Sequence, residues 1–353
     1  MIRVAALTSG RNVPSTRFRI RQHIQPLAEY DISAHEYCPV ISKNAYIPFL
    51  PRSIRIRYVP PLIPFFVGLE SVKFCSIFSG VIRSRSHDVV WLERGLYPGY
   101  PTIEFAIKKP LVLDVDDAVW FSKPFGELQM RKTAQRADRI VVGNQYLAEW
   151  FSKFNKNIIV LPTTIDTDRF LLKLNNENQP FTIGWTGTSG NFNYLYEINS
   201  TLKSFFSYAK DARMLLIADK FPEGLDIPFN RLDFIKWSEE NENSMITKMD
   251  VGIMPLQDNL WTRGKCSFKM LQYMACGKPV IVSPVGMNTE VLEKGNVGFG
   301  PNNDKDWLDA LVYLYENRSE GVLLGQNGRQ IVEKHYCQKK ATNCLADIFN
   351  SFF

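Results

Sequence analysis

The sequence predicts an α/β protein built from two Rossmann-like, doubly wound domains that face a cleft. Three observations lead to this prediction. The chain has 353 residues, enough for two domains that each bury a core. Short apolar runs of strand length alternate with segments of helical periodicity, which is typical of parallel sheets. Finally, a strand, a loop, a helix and a second strand follow one another within residues 249–301, in the order of a parallel βαβ unit.

The βαβ unit is the clearest element of the sequence. Residues 251–254 form an apolar run of strand character, and apolar residues recur at helical spacing over 268–275. Gly277 stands at the position that follows a helix C-terminus. Ligands bind at the carboxyl ends of parallel strands. We therefore expect residues 258–269, which follow the first strand, to face a ligand.

This loop also brings cations to a helix N-terminus. Arg263, Lys265 and Lys269 lie before or within the first turn of the predicted helix. The amides of Ser267 and Phe268 lie at the same helix start, where N–H groups favour anions. A diphosphate is the ligand that fits this arrangement, and Lys269 would neutralise charge during catalysis. The alternative is that the lysines are ordinary surface residues.

A glycine loop opens the predicted second domain. Gly187, Thr188 and Ser189 follow a strand predicted at 181–185. Glycine lets the backbone approach a phosphate closely, so these residues are predicted to contact the same phosphate-containing ligand. No lysine or arginine follows within the loop before Lys203, so the positive charge would come from elsewhere.

Charged residues stand at predicted strand ends in the first domain. Two buried strands deliver Glu93 with Arg94, and Asp116 with Asp117, to the carboxyl edge of the sheet. These residues are therefore candidates for an active site: Asp116 or Glu93 could orient a substrate hydroxyl or take its proton, and Arg94 and Asp117 could contact the same substrate. The alternative for the two aspartates is to cap a helix that begins at Ala118, and the two roles are compatible.

The string GKCSFKMLQYMACGKPVIVSPVGMNTEV, which begins at Gly264, resembles the donor-binding signature of retaining glycosyltransferases of the GT-B fold, glycosyltransferase family 4 (group 1). The family usually has two glutamates eight positions apart. Gln272 stands where the second is expected, and Gly264 falls near the first. A glutamine can still hydrogen-bond to ribose hydroxyls, without a carboxylate's charge. The alternative for Gln272 is a solvated position on the helix surface.

The resemblance covers nearly the whole chain and implies further roles. Arg17 and Arg19, in the pattern PSTRFR, would bind the acceptor or a phosphate; the alternative is that they are solvated near a helix that Ser15 caps. Glu290 matches a family glutamate that would touch the sugar or cap the following helix. Asp116 occupies the slot of a family histidine that lies near the sugar.

The resemblance also implies an activity. The protein would move a sugar, with retention and without a metal, from a nucleotide-sugar to a glycan or lipid-linked acceptor. Relatives act in bacterial surface polysaccharide synthesis, such as lipopolysaccharide or capsule. No cofactor beyond the donor is expected. The alternative is a non-catalytic member that binds nucleotide or glycan in a polysaccharide assembly complex. A sugar-nucleotide 2-epimerase ranks third, because no convincing set of additional acid/base side chains is found.

Domain boundaries follow from these patterns. We place an acceptor-binding domain at 1–165, a linker at 166–180 and a nucleotide-sugar-binding domain at 181–337. The resemblance implies that the last helix, 338–353, packs back on the first domain.

The charge of the chain is uneven. The net charge is +6, and residues 1–110 hold 15 Lys and Arg against 7 Asp and Glu. A basic first domain fits an anionic partner, such as a membrane surface or a phosphorylated lipid. No nucleic-acid-binding motif accompanies it, so no nucleic acid is expected.

The stretch Val59–Ile82 is the most apolar part of the chain. Charged residues and prolines interrupt it, so it is too broken for a spanning helix. It is either a buried helix with a basic edge or an interfacial helix on an anionic membrane. Six cysteines without a regular framework indicate reduced thiols and a cytoplasmic protein, with peripheral attachment to the inner face of the membrane as the alternative.

Overall fold

The computed structural model describes residues 1–43, 63–172 and 179–353; for 63–66 it describes the backbone only. The strands pair in parallel within two six-stranded sheets, and helices connect them. The predicted α/β class, with two doubly wound sheets, is confirmed.

The chain divides into two compact units. The first unit comprises Met1–Thr163 and Lys339–Phe353, and the second comprises Thr164–Gln338. The predicted linker 166–180 differs from this division. Where the structure describes it, it belongs to the second unit, because Phe170 is buried in that unit's core. The Arg329 guanidinium also donates to the carbonyl of Thr167, at 2.9 Å. Residues 173–178 of the predicted linker lie outside the described residues.

The first unit contains a sheet and helices on its connections. Its strands are β1 (Ile2–Leu7), β2 (Ile32–Tyr37), β3 (Val89–Glu93), β4 (Leu111–Val115), β5 (Arg139–Val142) and β6 (Ile158–Val160). Its helices include α1 (Gln22–Ile24), α2 (Ile63–Ser84), α3 (Gly126–Arg136) and α4 (Gln145–Ser152), and a π-helical turn, Thr16–Arg21, precedes α1. The strand order is β2-β1-β3-β4-β5-β6, so the direction of winding changes between β1 and β3. Ligands bind at such a point in open α/β sheets.

The second unit repeats this plan with a different strand order. Its strands are β7 (Thr182–Gly187), β8 (Arg213–Ala218), β9 (Leu232–Lys236), β10 (Val251–Met254), β11 (Val280–Val282) and β12 (Gly298–Phe299). Its helices include α5 (Phe192–Glu197), α6 (Asn199–Tyr208), α7 (Glu242–Ile246), α8 (Phe268–Ala275), α9 (Met287–Leu292), α10 (Asp304–Glu316) and α11 (Arg318–His335). The order β12-β11-β10-β7-β8-β9 places the change of direction between β7 and β10.

The last helix, α12 (Gln338–Asn350), packs on the sheet of the first unit. Phe349 and Leu345 are buried there, and the Phe349 ring meets the Trp91 ring edge-on at 5.4 Å between centroids. The buried His23 ring and the Thr342 hydroxyl lie 2.7 Å apart. Burial lowers the pKa of His23 to about 3, so this ring stays neutral.

The structure confirms the predicted position of Gly277 but not the predicted helix cap at Ser15. Gly277 follows α8 with φ +70°, as expected for the residue after a helix. The prediction that Ser15 caps a helix is wrong: its hydroxyl donates to Glu93 at 2.6 Å, and its own backbone is helical. Strand β2 was not predicted, because it lies at the sheet edge and alternates buried with exposed residues.

The apolar stretch Val59–Ile82 corresponds to α2, except that residues 59–62 lie outside the described residues. One face of α2 is buried in the first unit's core through Ile77 and Val81. Val67, Phe74, Phe78 and Ile82 of the same helix are exposed. In the described part of the chain, no helix combines the length and apolarity needed to cross a membrane.

Candidate donor site

Predicted donor residues meet where β7 and β10 lie side by side. The Lys269 ammonium lies over the Trp185 ring, 4.1 Å from its centroid. Gly187, at the end of β7, borders both side chains. A Cβ built at Gly187 would lie 2.6 Å from the Lys269 Nζ and 2.6 Å from the Trp185 ring. Glycine is therefore needed at this position, and the fold brings two distant predicted segments together.

A buried tyrosine holds α8 against the two strands. The Tyr273 hydroxyl accepts a hydrogen bond from the Thr186 amide at 2.9 Å and donates to the Ile253 carbonyl at 3.4 Å. A Cβ at Gly252 would lie 2.2 Å from the Tyr273 ring. The ring thus fills the space that a glycine leaves in β10, and it fixes the helix that carries Lys269.

The environment of Lys269 makes it a proton-responsive cation. Burial, which removes water from the ammonium, and repulsion by the nearby Lys265 together lower its pKa to about 7. About half of the side chains would carry a proton at neutral pH. A bound polyanion would reverse this shift, because opposite charge favours the protonated form.

Gln272 lies one turn further along α8, on a neighbouring position of the same helix. Its side chain is 2% exposed, so the alternative that it is solvated on the helix surface is wrong. Its Nε2 atom has no hydrogen-bond partner in the structure. Leaving a buried amide without a hydrogen-bond partner costs about 1–3 kcal/mol of stability. A ligand oxygen that accepted a hydrogen bond from Nε2 would remove this cost.

The start of α8 is strained. Ser267 precedes the helix with φ +51°, a left-handed conformation that is uncommon outside glycine, and it is buried. Such a residue costs on the order of 1–3 kcal/mol and tends to occur at functional sites. An α-helix leaves its first N–H groups without an intrahelical partner, and α8 begins at Phe268. The predicted anion-binding residues Ser267 and Phe268 thus stand at a constrained helix start.

The loop before α8 contains an ion pair between Arg263 and Asp258. Arg263 donates from Nε and Nη2 to the Asp258 carboxylate at 2.6 and 2.9 Å. This hydrogen bonding lowers the pKa of Asp258, so the pair stays ionised. Lys265 lies 5.8 Å from the Trp261 ring centroid. Arg263, predicted to bind a diphosphate, is thus held by a carboxylate.

The glycine loop after β7 is also tied to an aspartate. The Ser189 amide and hydroxyl donate to the two carboxylate oxygens of Asp219, at 2.5 and 2.8 Å. The Thr188 hydroxyl accepts from the Asn191 side chain at 3.0 Å. We predicted that Ser189 would contact the donor, but this structure places a carboxylate on its amide. Gly187 is the residue of this loop that contacts Lys269.

Glu290 lies in the first turn of α9 and is exposed. Burial of part of its carboxyl, with repulsion from Glu293, raises its pKa. The turn before it is close to the loop of the donor site: a Cβ at Gly286 would lie 2.6 Å from the Arg263 carbonyl oxygen. Glycine is required there, since its φ is +55°.

In the first unit, an arginine binds both predicted aspartates. The Arg94 guanidinium meets Asp116 through Nε and Asp117 through Nη2, each at 2.6 Å. Burial raises the pKa of Asp116, but the charge and hydrogen bond of Arg94, together with the charge of Arg19, hold this pKa below its ordinary value. Asp116 is therefore an ionised carboxylate and a weak proton acceptor. Arg94 adopts a left-handed backbone, with φ +57°.

Glu93, which we predicted to be catalytic, accepts three hydrogen bonds from the segment that follows β1. It is fully buried, and it accepts hydrogen bonds from the Ser9 amide at 2.9 Å, the Ser15 hydroxyl at 2.6 Å and the Thr16 hydroxyl at 2.5 Å. Both carboxylate oxygens are engaged. Glu93 thus anchors the loop that leaves β1.

The predicted acceptor arginines are buried as well. Arg19 donates to Asp114 at 2.8 Å and to the Leu161 carbonyl at 2.6 Å. Arg17 is buried with its guanidinium 4.0 Å from the Phe18 ring centroid, and Arg21 pairs with Glu36. The alternative of solvated arginines is wrong for Arg17 and Arg19, and Arg19 is committed to a structural ion pair.

Sequence reasoning missed three contributors to these two regions. Trp185 gave no signal beyond that of a core aromatic, and Asp219 looked like an ordinary strand-end residue. Lys43 is buried and donates to the Gly95 carbonyl at 3.1 Å, and burial lowers its pKa to about 8. Across the residues that the structure describes, no three His, Cys, Asp or Glu side chains are grouped to hold a metal ion.

The sequence matches a known family over part of its length. Residues 187–317 match the family model described as glycosyl transferases group 1. This segment runs from the end of β7 to just past α10, and it includes Lys269 and Gln272. No curated protein sequence matches the chain at a significant level.

Solved structures share the fold at low identity. Sucrose-phosphate synthase from Thermosynechococcus elongatus has a TM-score of 0.70 and 13% identity, covering 100% of this chain and 99% of that one. Anabaena HepE in complex with UDP and glucose has a TM-score of 0.68 and 14% identity, covering 99% and 100%. An E. coli structure described as trehalose-6-phosphate bound with UDP-2-fluoro glucose has a TM-score of 0.66 and 9% identity, covering 98% of each. The chain therefore shares the GT-B fold of these glycosyltransferase structures, and its residues 187–317 match the group 1 glycosyl transferase model.

Proposed function

We propose that this protein is a UDP-sugar-dependent glycosyltransferase that acts with retention and without a metal. The acceptor would be a glycan or a lipid-linked glycan. The matched domain contains the Lys269 site, and the similar structures of HepE and the E. coli protein are described with UDP or a UDP-sugar analogue. These findings support a UDP-sugar as the donor.

The observation that carries this proposal is the group formed by Trp185, Gly187, Lys269 and Gln272. It lies at the change of strand direction, where α/β sheets bind ligands. It combines a cation of lowered pKa with a buried amide N–H that lacks a protein partner. A nucleoside diphosphate offers what both groups need: negative charge and hydroxyl or phosphate oxygens.

Lys269 would stabilise the departing diphosphate. When the bond between the sugar C1 and the diphosphate breaks, negative charge develops on the leaving oxygen. Lys269 would neutralise it, and the first amides of α8 would add the positive end of the helix dipole. Lys265 would contribute a second cation from the adjoining loop. Gln272 would hydrogen-bond to the ribose.

In the first unit, Asp116 would orient the acceptor hydroxyl. Its lowered pKa favours accepting a hydrogen bond over removing a proton. Arg94 would hold Asp116 and Asp117 in place through its two ion pairs. Glu93 and Arg19 would support these strand ends from below, without touching substrate.

A second candidate function is a non-catalytic protein that binds nucleotide or glycan in a polysaccharide assembly complex. Two observations favour it. The Ser189 amide is occupied by Asp219, and Arg263 is paired with Asp258, so part of the predicted phosphate-binding set is engaged. Gln272 also replaces a carboxylate of the family pattern.

Thermal stability with UDP, GDP, dTDP and CMP, each with and without EDTA, tests the donor. We expect UDP alone to raise Tm, by the equivalent of about 2.7 kcal/mol at one hundred times Kd, and EDTA to change nothing. The Gln272→Met variant should respond less at the same concentration. A shift with none of the nucleotides would overturn the proposal.

Release of UDP from UDP-sugars then separates the two candidates. A transferase should turn over in the presence of a glycan acceptor, and Lys269→Ala should lower kcat by two or more orders of magnitude. UDP binding without turnover of any UDP-sugar would favour the non-catalytic candidate.

We also propose a setting for the reaction. The basic N-terminal third of the sequence and the family resemblance fit synthesis of a bacterial surface polysaccharide, such as lipopolysaccharide or capsule. The protein would work in the cytoplasm, at the inner face of the membrane, where lipid-linked acceptors are held.

A further inference from the structure

Helix α2 exposes a row of apolar side chains. Val67, Phe74, Phe78 and Ile82 are between 39 and 58% exposed. Their spacing of seven, four and four residues places them on one face of the helix. The stripe is about 22 Å long, since each helical residue adds about 1.5 Å. We refer to these four residues as the α2 stripe.

The helix is firmly anchored by a different face. Ile77 and Val81 are buried in the first unit's core, and Ser84 is also buried. Lys73 is buried and pairs with Glu70 at 3.1 Å. The α2 stripe is therefore not a consequence of a loosely packed helix: the helix is held in place and presents its apolar residues outward.

Basic residues adjoin the stripe. Arg83 and Arg85 are exposed at the end of α2, and the Arg85 guanidinium donates to the Ala106 carbonyl at 3.5 Å. This contact places Phe105, another exposed aromatic residue, beside the same end of the helix. Lys108, also exposed, donates to the His87 carbonyl at 2.6 Å, just after α2.

Negative charge is scarce along the same segment. From residue 67 to residue 86, the carboxylate is that of Glu70, and Lys73 neutralises it. The surface around the α2 stripe therefore combines exposed aliphatic and aromatic groups with unbalanced positive charge. Large exposed apolar patches on proteins mark interaction surfaces, and this one has the composition of a helix that lies in a lipid headgroup region.

We propose that the α2 stripe, with Arg83 and Arg85, docks the protein on an anionic lipid surface. The stripe enters the boundary between headgroups and acyl chains, and the arginines contact lipid phosphates. A protein partner is less well matched, because a row of aliphatic and aromatic side chains flanked by arginines, with the Glu70 carboxylate paired to Lys73, complements an acidic, apolar surface such as the membrane. This inference rests on the proposed function, and it adds the lipid surface at which the proposed reaction would take place.

Sedimentation with lipid vesicles tests the proposal on the full chain. One set contains phosphatidylcholine alone, and a second contains phosphatidylcholine with phosphatidylglycerol. We expect binding to the anionic vesicles, weakened by raising the salt concentration. Arg83→Gln with Arg85→Gln should weaken binding about 30-fold, since each basic residue near the surface contributes a factor of about five. Phe74→Ser with Phe78→Ser should weaken it by roughly tenfold or more.

Phe229→Ser is the matched control. Phe229 is 82% exposed and lies in the second unit, so its removal should leave vesicle binding unchanged. UDP-induced stabilisation, measured on the same variants, should equal that of wild type; it reports separately on the donor site and on folding. Equal binding of wild type and the Phe74→Ser, Phe78→Ser variant would overturn the proposal. Absence of vesicle binding by wild type would also overturn it. The same holds for a dimer in solution that dissociates in this double variant.

Discussion

The lowered pKa of Lys269 predicts that UDP affinity falls steeply with pH. The pKa is about 7 in the ligand-free protein, and a bound diphosphate should return it toward its ordinary value of 10.5. Binding then requires proton uptake at any pH between these values. The protonated fraction of such a lysine falls from about one half at pH 7 to about one hundredth at pH 9, so affinity should fall about 50-fold.

Isothermal titration with UDP measures both parts of this prediction. Buffers with different ionisation enthalpies should report uptake of about half a proton per UDP at pH 7 and nearly one at pH 9. Lys269→Arg keeps a charge that does not titrate, so its UDP affinity should vary little over this range. Lys269→Met should bind UDP more weakly at pH 7 and show no proton uptake from this site.

Stability provides an independent check with its own sign. Folding lowers the pKa of Lys269, so the unfolded chain binds more protons between pH 7 and 10.5. The contribution of this side chain to the free energy of unfolding should therefore rise with pH across that window, and Lys269→Met should remove the rise. Wild-type UDP affinity that stays level from pH 7 to pH 9, without proton uptake, would show that Lys269 does not take up a proton when UDP binds.

Three further predictions concern geometry. Gly187→Ala should lower UDP affinity by tenfold or more with little change in Tm, because its Cβ would displace Lys269 or the Trp185 ring. Gly68→Ala is the control, since its Cβ would lie in open space. Equal UDP affinities of wild type and Gly187→Ala in titrations would contradict the close approach. Arg94→Met should destabilise the protein by about 3–5 kcal/mol in urea unfolding, because it removes the cation that pairs with both carboxylates, whereas a loss below 1 kcal/mol would show that these ion pairs are solvated. Phe349→Ala should cost about 3–5 kcal/mol by the same assay, because α12 would lose its contact with the first sheet; an unchanged midpoint would mean that α12 contributes little.

Much of the second unit could be predicted from sequence. Strand β10 and helix α8 were predicted with the bounds that the structure shows, because the apolar run, the helical spacing and Gly277 all indicate the same elements. Strand ends also directed attention to Asp116 and Lys269, since topology places such residues at one edge of the sheet. The two sheets and the α/β class follow from the same periodicities.

Side-chain pairing could not be predicted in this way. Glu93 was placed at the correct strand end, but nothing in its spacing shows that Ser9 and Thr16 occupy its oxygens. Asp219 lies 30 residues from Ser189, and this hydrogen bond depends on how β8 lies beside β7. Charged pairs of this kind are set by tertiary geometry, whereas local patterns report secondary structure.

A crystal structure of the protein with UDP would show directly whether Lys269 and Gln272 bind the nucleotide. We predict that the diphosphate lies at the start of α8, with an oxygen about 2.7–3.2 Å from the Lys269 Nζ, and that the Gln272 amide donates to the ribose. Density for UDP at another site, or a bound UDP whose phosphates do not contact Lys269, would contradict it.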